Sequence, residues 1–163
     1  GTNAQGGNRT MDKFMKIAQE YAEYGSRHNE GGPFGAVITD KQGNIIAKAN
    51  NTVLENNDPT EHAEMNAIRE ACKKLGTYDL GDYILYTSCE PCPMCLSAII
   101  WSNIKEVYFA CTRKDAGEIG FRDDSIYEYL EGKNEELIKL KQIDREECIS
   151  LFQEYEKNKK TIY

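Results

Sequence analysis

The sequence predicts an α/β fold in which helices flank a sheet that is parallel in part. Three observations predict it. Residues 35–49 carry a β-hairpin pattern. Beyond them a helical stretch, a strand, a second helical stretch and a further strand alternate. A strand–helix–strand unit of that kind closes as a crossover and leaves its two strands parallel. Finally, 40% of the 163 residues are apolar and 29% are charged, which suits one water-soluble core in one domain.

The elements follow in order. Residues 1–10 are polar and Gly-rich and read as a tag or disordered tail, so a single domain is expected over 11–163. Met11 to His28 spaces Phe14, Met15, Ala18, Tyr21 and Ala22 along one helical face, and Gly31-Gly32-Pro33 stops it. Gly35 to Thr39 and Asn44 to Ala49 are strands joined at Asp40-Lys41-Gln42-Gly43. Asn50 to Asp58 is a polar loop. Asp58-Pro59-Thr60-Glu61 has the composition of a capping box, predicting a helix from there to Leu75 with Gly76 as its stop. Asp82 to Ser88 is a buried strand by its β-branched and aromatic content. Pro91 opens a short helix to about Trp101, and Lys105 to Ala110 is the next strand. Residues 112–135 are expected to be an irregular loop. Leu137 to Ile143 is expected to be a last strand. Asp144 to Glu147 forms a second capping-box pattern, opening a terminal helix with Ile149, Phe152 and Tyr155 on one face.

Charge and cysteine usage narrow the function. Twenty Lys and Arg against 27 Asp and Glu give a net charge of −7, which disfavours a polyanion partner. The longest apolar run, Ala98 to Trp101, is far short of the ~20 residues of a membrane span. No secretory signal is read at the N-terminus, so the six cysteines point to a reducing, cytoplasmic setting rather than to disulfides. Cys72, Cys111 and Cys148 are expected to be small buried hydrophobes. His28, at a helix C-terminus, is expected to be structural.

His62, Cys92 and Cys95 hold the chemistry. His62 sits in the first turn of one predicted helix, four residues after its Asp58 cap, and Cys92 and Cys95 sit in the first turn of the next, three apart, so that both sulfurs share a side. Both helices follow strands of one sheet, which brings their N-termini to one edge. Helix N-termini favour thiolates, and one imidazole with two thiolates suits tetrahedral zinc. Three protein ligands keep a fourth position open, the catalytic arrangement in which bound water has its pKa lowered to ~7. Glu64, roughly 200° around the helix from His62, is placed to carry protons instead of binding the metal. Cys89, at a strand end, is the competing fourth ligand that would close the site. A redox pair at Cys92 and Cys95 is the other reading of that spacing.

His62-Ala63-Glu64 followed by Pro91-Cys92-Pro93-Met94-Cys95 is the H-x-E and P-C-x-x-C signature of zinc nucleobase deaminases. The chain therefore resembles the cytidine/deoxycytidylate deaminase superfamily, and within it the bacterial guanine deaminases. Supporting segments are Gly32 to Ile38, Asn57 to Thr60, Ala67 to Arg69, Ala71-Cys72, Ile84 to Cys95, Gly120-Phe121, Ile126-Tyr127 and the tail ending in Tyr163.

The resemblance implies a three-layer sandwich, a mixed five-stranded sheet between helices. It implies one Zn2+ per subunit on His62, Cys92 and Cys95, with Glu64 shuttling protons. It implies substrate contacts from Asn51, Phe34, Ala63, Trp101, Asp123 and Tyr163. Asn50 competes with Asn51 and Asp124 with Asp123, while core packing explains Phe34 and Trp101 equally well. The implied reaction is hydrolysis of guanine to xanthine and ammonia in purine catabolism or salvage, by a homodimer whose C-terminal tails are exchanged. A small purine base is the expected partner, with neither nucleic acid nor membrane. The alternatives are a nucleoside or tRNA adenosine deaminase of the same superfamily, and a non-catalytic zinc module using its 112–135 loop.

Overall fold

The computed structural model describes residues 10–163. The stretch read as a tag or disordered tail, Thr10 apart, lies outside the described residues. The chain divides into two compact units, Gly1–Asp123 and Asp124–Tyr163.

The first unit begins with α1, Lys13–Arg27. The Asp12 side chain accepts from the backbone N–H groups of Phe14 and Met15, satisfying two of the donors that a helix start leaves over. His28 is its C-terminal cap, stacked on Tyr24, with Nδ1 at 2.8 Å from the Tyr24 carbonyl oxygen. That matches the structural role expected for it. β1 (Gly35–Asp40) and β2 (Ile45–Asn50) form the expected hairpin. Asp40 closes it by accepting from the backbone N–H groups of Gln42 and Asn44. A short helix α2, Val53–Asn56, occupies the stretch expected to be loop. Then come α3 (Ala63–Leu75), β3 (Tyr83–Cys89), α4 (Pro93–Trp101), β4 (Glu106–Cys111) and α5 (Arg113–Glu118).

The sheet order is β2-β1-β3-β4. β1 runs antiparallel to both its neighbours, and β3 and β4 are parallel. The mixed sheet flanked by helices is thus as expected, but it has four strands, not five. The side-chain alternation of β1 divides two cores. Val37 packs with Met15 and Ala18 of α1 on one face. Ala36 and Ile38 pack on the other with Ala63, Ala67 and Ala71 of α3 and Ile99 of α4. The small side chains of α3 let its backbone approach the sheet closely. At Gly35 the approach of α1 is closer still: a Cβ there would overlap the Ala18 carbonyl oxygen, so no other residue fits.

The second unit holds α6 (Asp124–Leu130), a 3₁₀ turn at Glu135–Leu137 and α7 (Arg145–Lys157). The stretch 112–135 is therefore largely helical, contrary to the loop expected. Its polar residues build helix caps: Thr112 and Asp115 make a reciprocal capping box. The strand expected at Leu137 to Ile143 does not form. An alternating pattern is not enough, because a strand exists only by pairing; Leu137 ends the 3₁₀ turn and 138–143 belong to no regular element. α7 starts where expected, yet Asp144 is in the left-handed region (φ 57°) and its side chain caps nothing. Among the described residues no helix is long and apolar enough to cross a membrane.

Candidate active site

Two helix starts carry the metal-binding side chains. Asp58 does not cap α3, as its capping-box pattern suggested. It turns the chain earlier, accepting the Thr60 N–H at 2.8 Å and the Thr60 hydroxyl at 2.7 Å. Glu61 is spent on Thr52 and Asn56, whose side chains donate to it at 2.6 and 2.8 Å. The helix therefore begins at Ala63, with His62 as an extended cap (φ −67°, ψ 157°). The backbone turn at His62 thus lies outside the helical register, and its ring is not bound to a helix face. α4 repeats the arrangement, with Cys92 as the cap, Pro93 in the first turn and Cys95 three residues on.

These two starts meet. His62 Nδ1 is 3.5 Å from Cys92 Sγ and 3.6 Å from Cys95 Sγ. In tetrahedral zinc with ordinary Zn–N and Zn–S bonds, an N to S edge measures about 3.6 Å. The donor atoms are thus spaced as edges of one coordination tetrahedron, and all lie within 4.8 Å of one another. Cys95 is fully buried and Cys92 partly so. Hydrogen bonds from Cys95 and His62 hold the Cys92 thiol down to about 4, which favours its thiolate. Cys95, which shares that proton, is pushed up. The Cys92 sulfur beside His62 raises the imidazole above its ordinary value, against the effect of burial.

Cys89 is not a fourth ligand. It is buried at the end of β3 with Sγ 3.6 Å from the Thr112 carbonyl oxygen, and burial pushes its thiol up to about 12. The described residues that gather as a metal group are His62, Cys92 and Cys95. Cys111 and Cys148 are exposed and Cys72 partly so, which corrects the expectation that all three are buried.

Glu64, one residue into α3, is 6% exposed. Burial raises its carboxyl above the usual range, and it interacts with Thr87 of β3 and with Cys95. It stands beside the group of His62, Cys92 and Cys95 and is not part of it. Ala63, between His62 and Glu64, is fully buried and makes room for both.

The remaining site residues fall into two groups. Asn51, 5% exposed, follows β2; its Oδ1 accepts the Val53 N–H at 3.0 Å and its backbone N–H donates to the Phe34 carbonyl. Asn50 is engaged elsewhere, its amide donating to Glu30 and to the Asn51 carbonyl. Gly31 lies against Asn51 so closely that a Cβ would overlap its Oδ1. Phe34 meets Phe121 edge to face, with centroids 5.1 Å apart. Asp123 is tied to Arg113, whose Nε lies 3.1 Å from each carboxylate oxygen. Trp101 stands apart, 67% exposed at the far end of α4, about 13 Å of helix from Cys92. Tyr163 belongs to the second unit and is exposed.

Sequence reasoning missed Gly31, Phe121 as a site residue, and Arg113. Gly31-Gly32 was legible as a helix breaker, and nothing local marks a glycine as the seat of an amide far along the chain. Arg113 and Asp123 are opposite charges ten residues apart, a signal too common to single out.

Comparison with known proteins agrees with this geometry. Residues 8–111 match the family model described as the cytidine and deoxycytidylate deaminase zinc-binding region. A guanine deaminase of Bacillus subtilis is 51% identical over 143 residues, covering 87% of this chain and 91% of that protein. A tRNA-specific adenosine deaminase of Buchnera aphidicola is 40% identical over 147 residues, covering 90% of this chain and 94% of that protein. The crystal structure of Bacillus subtilis guanine deaminase superposes with a TM-score of 0.87 at 47% identity, covering 95% of this chain and all of that one.

Proposed function

Since the chain belongs to the family of cytidine and deoxycytidylate deaminase zinc-binding domains, we infer that it hydrolyses guanine to xanthine and ammonia. The observation that carries the chemistry is the triangle of His62, Cys92 and Cys95 with a buried Glu64 beside it. The substrate rests on the likeness to guanine deaminase along most of both chains.

His62, Cys92 and Cys95 would hold zinc, which when bound would supply hydroxide at neutral pH. Glu64 takes the proton of the attacking water and delivers it to N3 of the base, next to the amino-bearing C2. Glu64 then takes the remaining proton of the hydroxyl added at C2 and passes it to the departing amine, so one water is consumed for one ammonia released. Burial raises the Glu64 carboxyl above the usual range, the direction that suits a group acting as both base and acid. Asn51 orients the base. Its Oδ1 is occupied by Val53, which leaves the Nδ2 donors for an acceptor on the purine. Phe34 and Phe121 offer an aromatic corner to the flat ring. The Asp123 carboxylate accepts from N–H groups of the guanine edge.

The working form is a homodimer with exchanged C-terminal tails, in which Trp101 and Tyr163 line a purine pocket with residues of the other copy. Two features support this. β4 is an edge strand whose Tyr108 and Phe109 are exposed. α7 exposes Leu151 and Phe152. Apolar groups gathered at such surfaces mark association sites. Thiolate ligands and unpaired cysteines suit a reducing cytoplasm, and the role is purine catabolism or salvage.

Ammonia release from guanine, guanosine, adenine, cytosine and their nucleosides tests the reading. Turnover of guanine is expected. Turnover of cytidine but not guanine overturns the substrate and leaves the zinc chemistry intact. The Buchnera relative makes an adenosine-bearing tRNA anticodon arm a necessary further arm of the panel. No turnover of it is expected from a chain of net charge −7.

A further inference from the structure

A carboxylate that reads a substrate must point one way before the substrate arrives. Asp123 is held in that manner. The Nε–H of Arg113 is shared between its two oxygens at 3.1 Å each. The two side chains are 31% and 16% exposed, so the pair is shielded from much of the solvent that weakens surface ion pairs. Arg113 is anchored in turn. Its backbone N–H donates to Glu90 Oε1 at 3.0 Å, and the Glu90 N–H donates to the Cys111 carbonyl at 2.8 Å. The capping box of Thr112 and Asp115 fixes the same helix start. Glu90 stands two residues before Cys92. Bonded joints thus run from the metal-binding loop through Glu90 and Arg113 to Asp123.

We propose that Arg113 is a positioning residue for substrate recognition: it fixes the plane of the Asp123 carboxylate, and Glu90 fixes Arg113 to the metal-binding loop. The span between the attacking hydroxide and the recognising carboxylate is then set by these joints. The proposal rests on the assignment of Asp123 to the guanine edge. An aspartate alone would swing between orientations and lose affinity for a base that must lie in one plane. The guanidinium leaves the carboxylate oxygens with further lone pairs for N–H donors, so pairing with Arg113 and binding the base are compatible.

The test is a double-mutant cycle on the zinc-loaded full-length protein: wild type, Arg113→Met, Asp123→Asn and the combination, each assayed for guanine kcat and KM, zinc content and thermal midpoint. Arg113→Met keeps the apolar stem. It is expected to raise KM about 10-fold with little change in kcat and full zinc content. In the Asp123→Asn background the same change is expected to alter kcat/KM by less than about 2-fold, because the group it positions is gone. Arg113→Lys, which keeps a charge without the shared Nε–H, is expected to fall between, and it serves if the Met variant does not fold. Equal losses in both backgrounds overturn the role, as does a lower KM, which would mean that the guanidinium competes with guanine. Wild-type protein that releases no ammonia from guanine overturns the proposed function itself and this role with it.

Discussion

His62 Nδ1 lies 3.5 Å from Cys92 Sγ, although thirty residues of chain separate them. The contact joins two helix starts, and α3 and α4 follow different strands of one sheet. A metal bound there is held by the tertiary structure, so its loss is felt twice. Cys92→Ala is expected to reduce bound zinc from one per chain to near none and to abolish ammonia release. Elemental analysis beside the activity assay checks it. Chelation of the wild type should do the same, with activity returning on adding Zn2+, and should lower the thermal midpoint because metal-binding free energy contributes to the folded state.

Glu64 separates chemistry from metal binding, since it is buried beside the ligands and is not one of them. Glu64→Gln preserves size and the capacity to hydrogen-bond but cannot transfer a proton. Its zinc content should equal that of wild type while kcat falls by about 10²–10⁴-fold. Undiminished turnover would falsify the proton-carrier role.

Gly31 makes an indirect prediction about Asn51. A Cβ at Gly31 would overlap Asn51 Oδ1, so Gly31→Ala must displace the amide from Val53 or move the backbone. The expected result is a fall of about 10–100-fold in kcat/KM for guanine, mostly in KM, at unchanged zinc content. Asn51→Ala should give a similar profile, and the double variant little further loss. Independent, multiplying losses would show that Gly31 acts elsewhere.

Asp58 yields a pH dependence. Hydrogen bonds from the Thr60 hydroxyl, then from its backbone N–H, hold the Asp58 carboxyl below its ordinary value of 3.8. A group depressed in the folded state adds stability above its unfolded pKa and loses it as pH falls through the folded one. Thr60→Ala should therefore unfold at lower urea than wild type at pH 7, and the gap between the two midpoints should shrink as pH falls below the ordinary carboxyl value of 3.8. A gap that persists unchanged at low pH would place the effect of Thr60 outside this hydrogen bond.

The zinc ligands were legible because their spacing is chemical and local. H-x-E and P-C-x-x-C state residue types at short separations, and both lie at helix starts, the second with Pro93 in its first turn. The face of α1 and the hairpin closed by Asp40 were legible for the same reason, since period and turn chemistry are properties of a few neighbouring residues. Asp58 was misread because a cap and an isolated turn use the same side-chain oxygen. Which one forms depends on Thr52 and Asn56, which claim Glu61 from outside the segment.

Residue identities, taken alone, thus determined the chemistry: one imidazole, two thiolates and a carboxylate for protons, on an α/β frame. The tertiary structure decided what depends on closure in space. It set the number of strands, because Leu137 to Ile143 has the pattern but not the partner. It tied the Asn50 amide to Glu30 and the Asn51 Oδ1 to the Val53 N–H. It joined Arg113 to Asp123. Pattern reports what a segment can do with its neighbours in the chain, whereas pairing and long-range hydrogen bonds depend on which groups the folded backbone brings within reach.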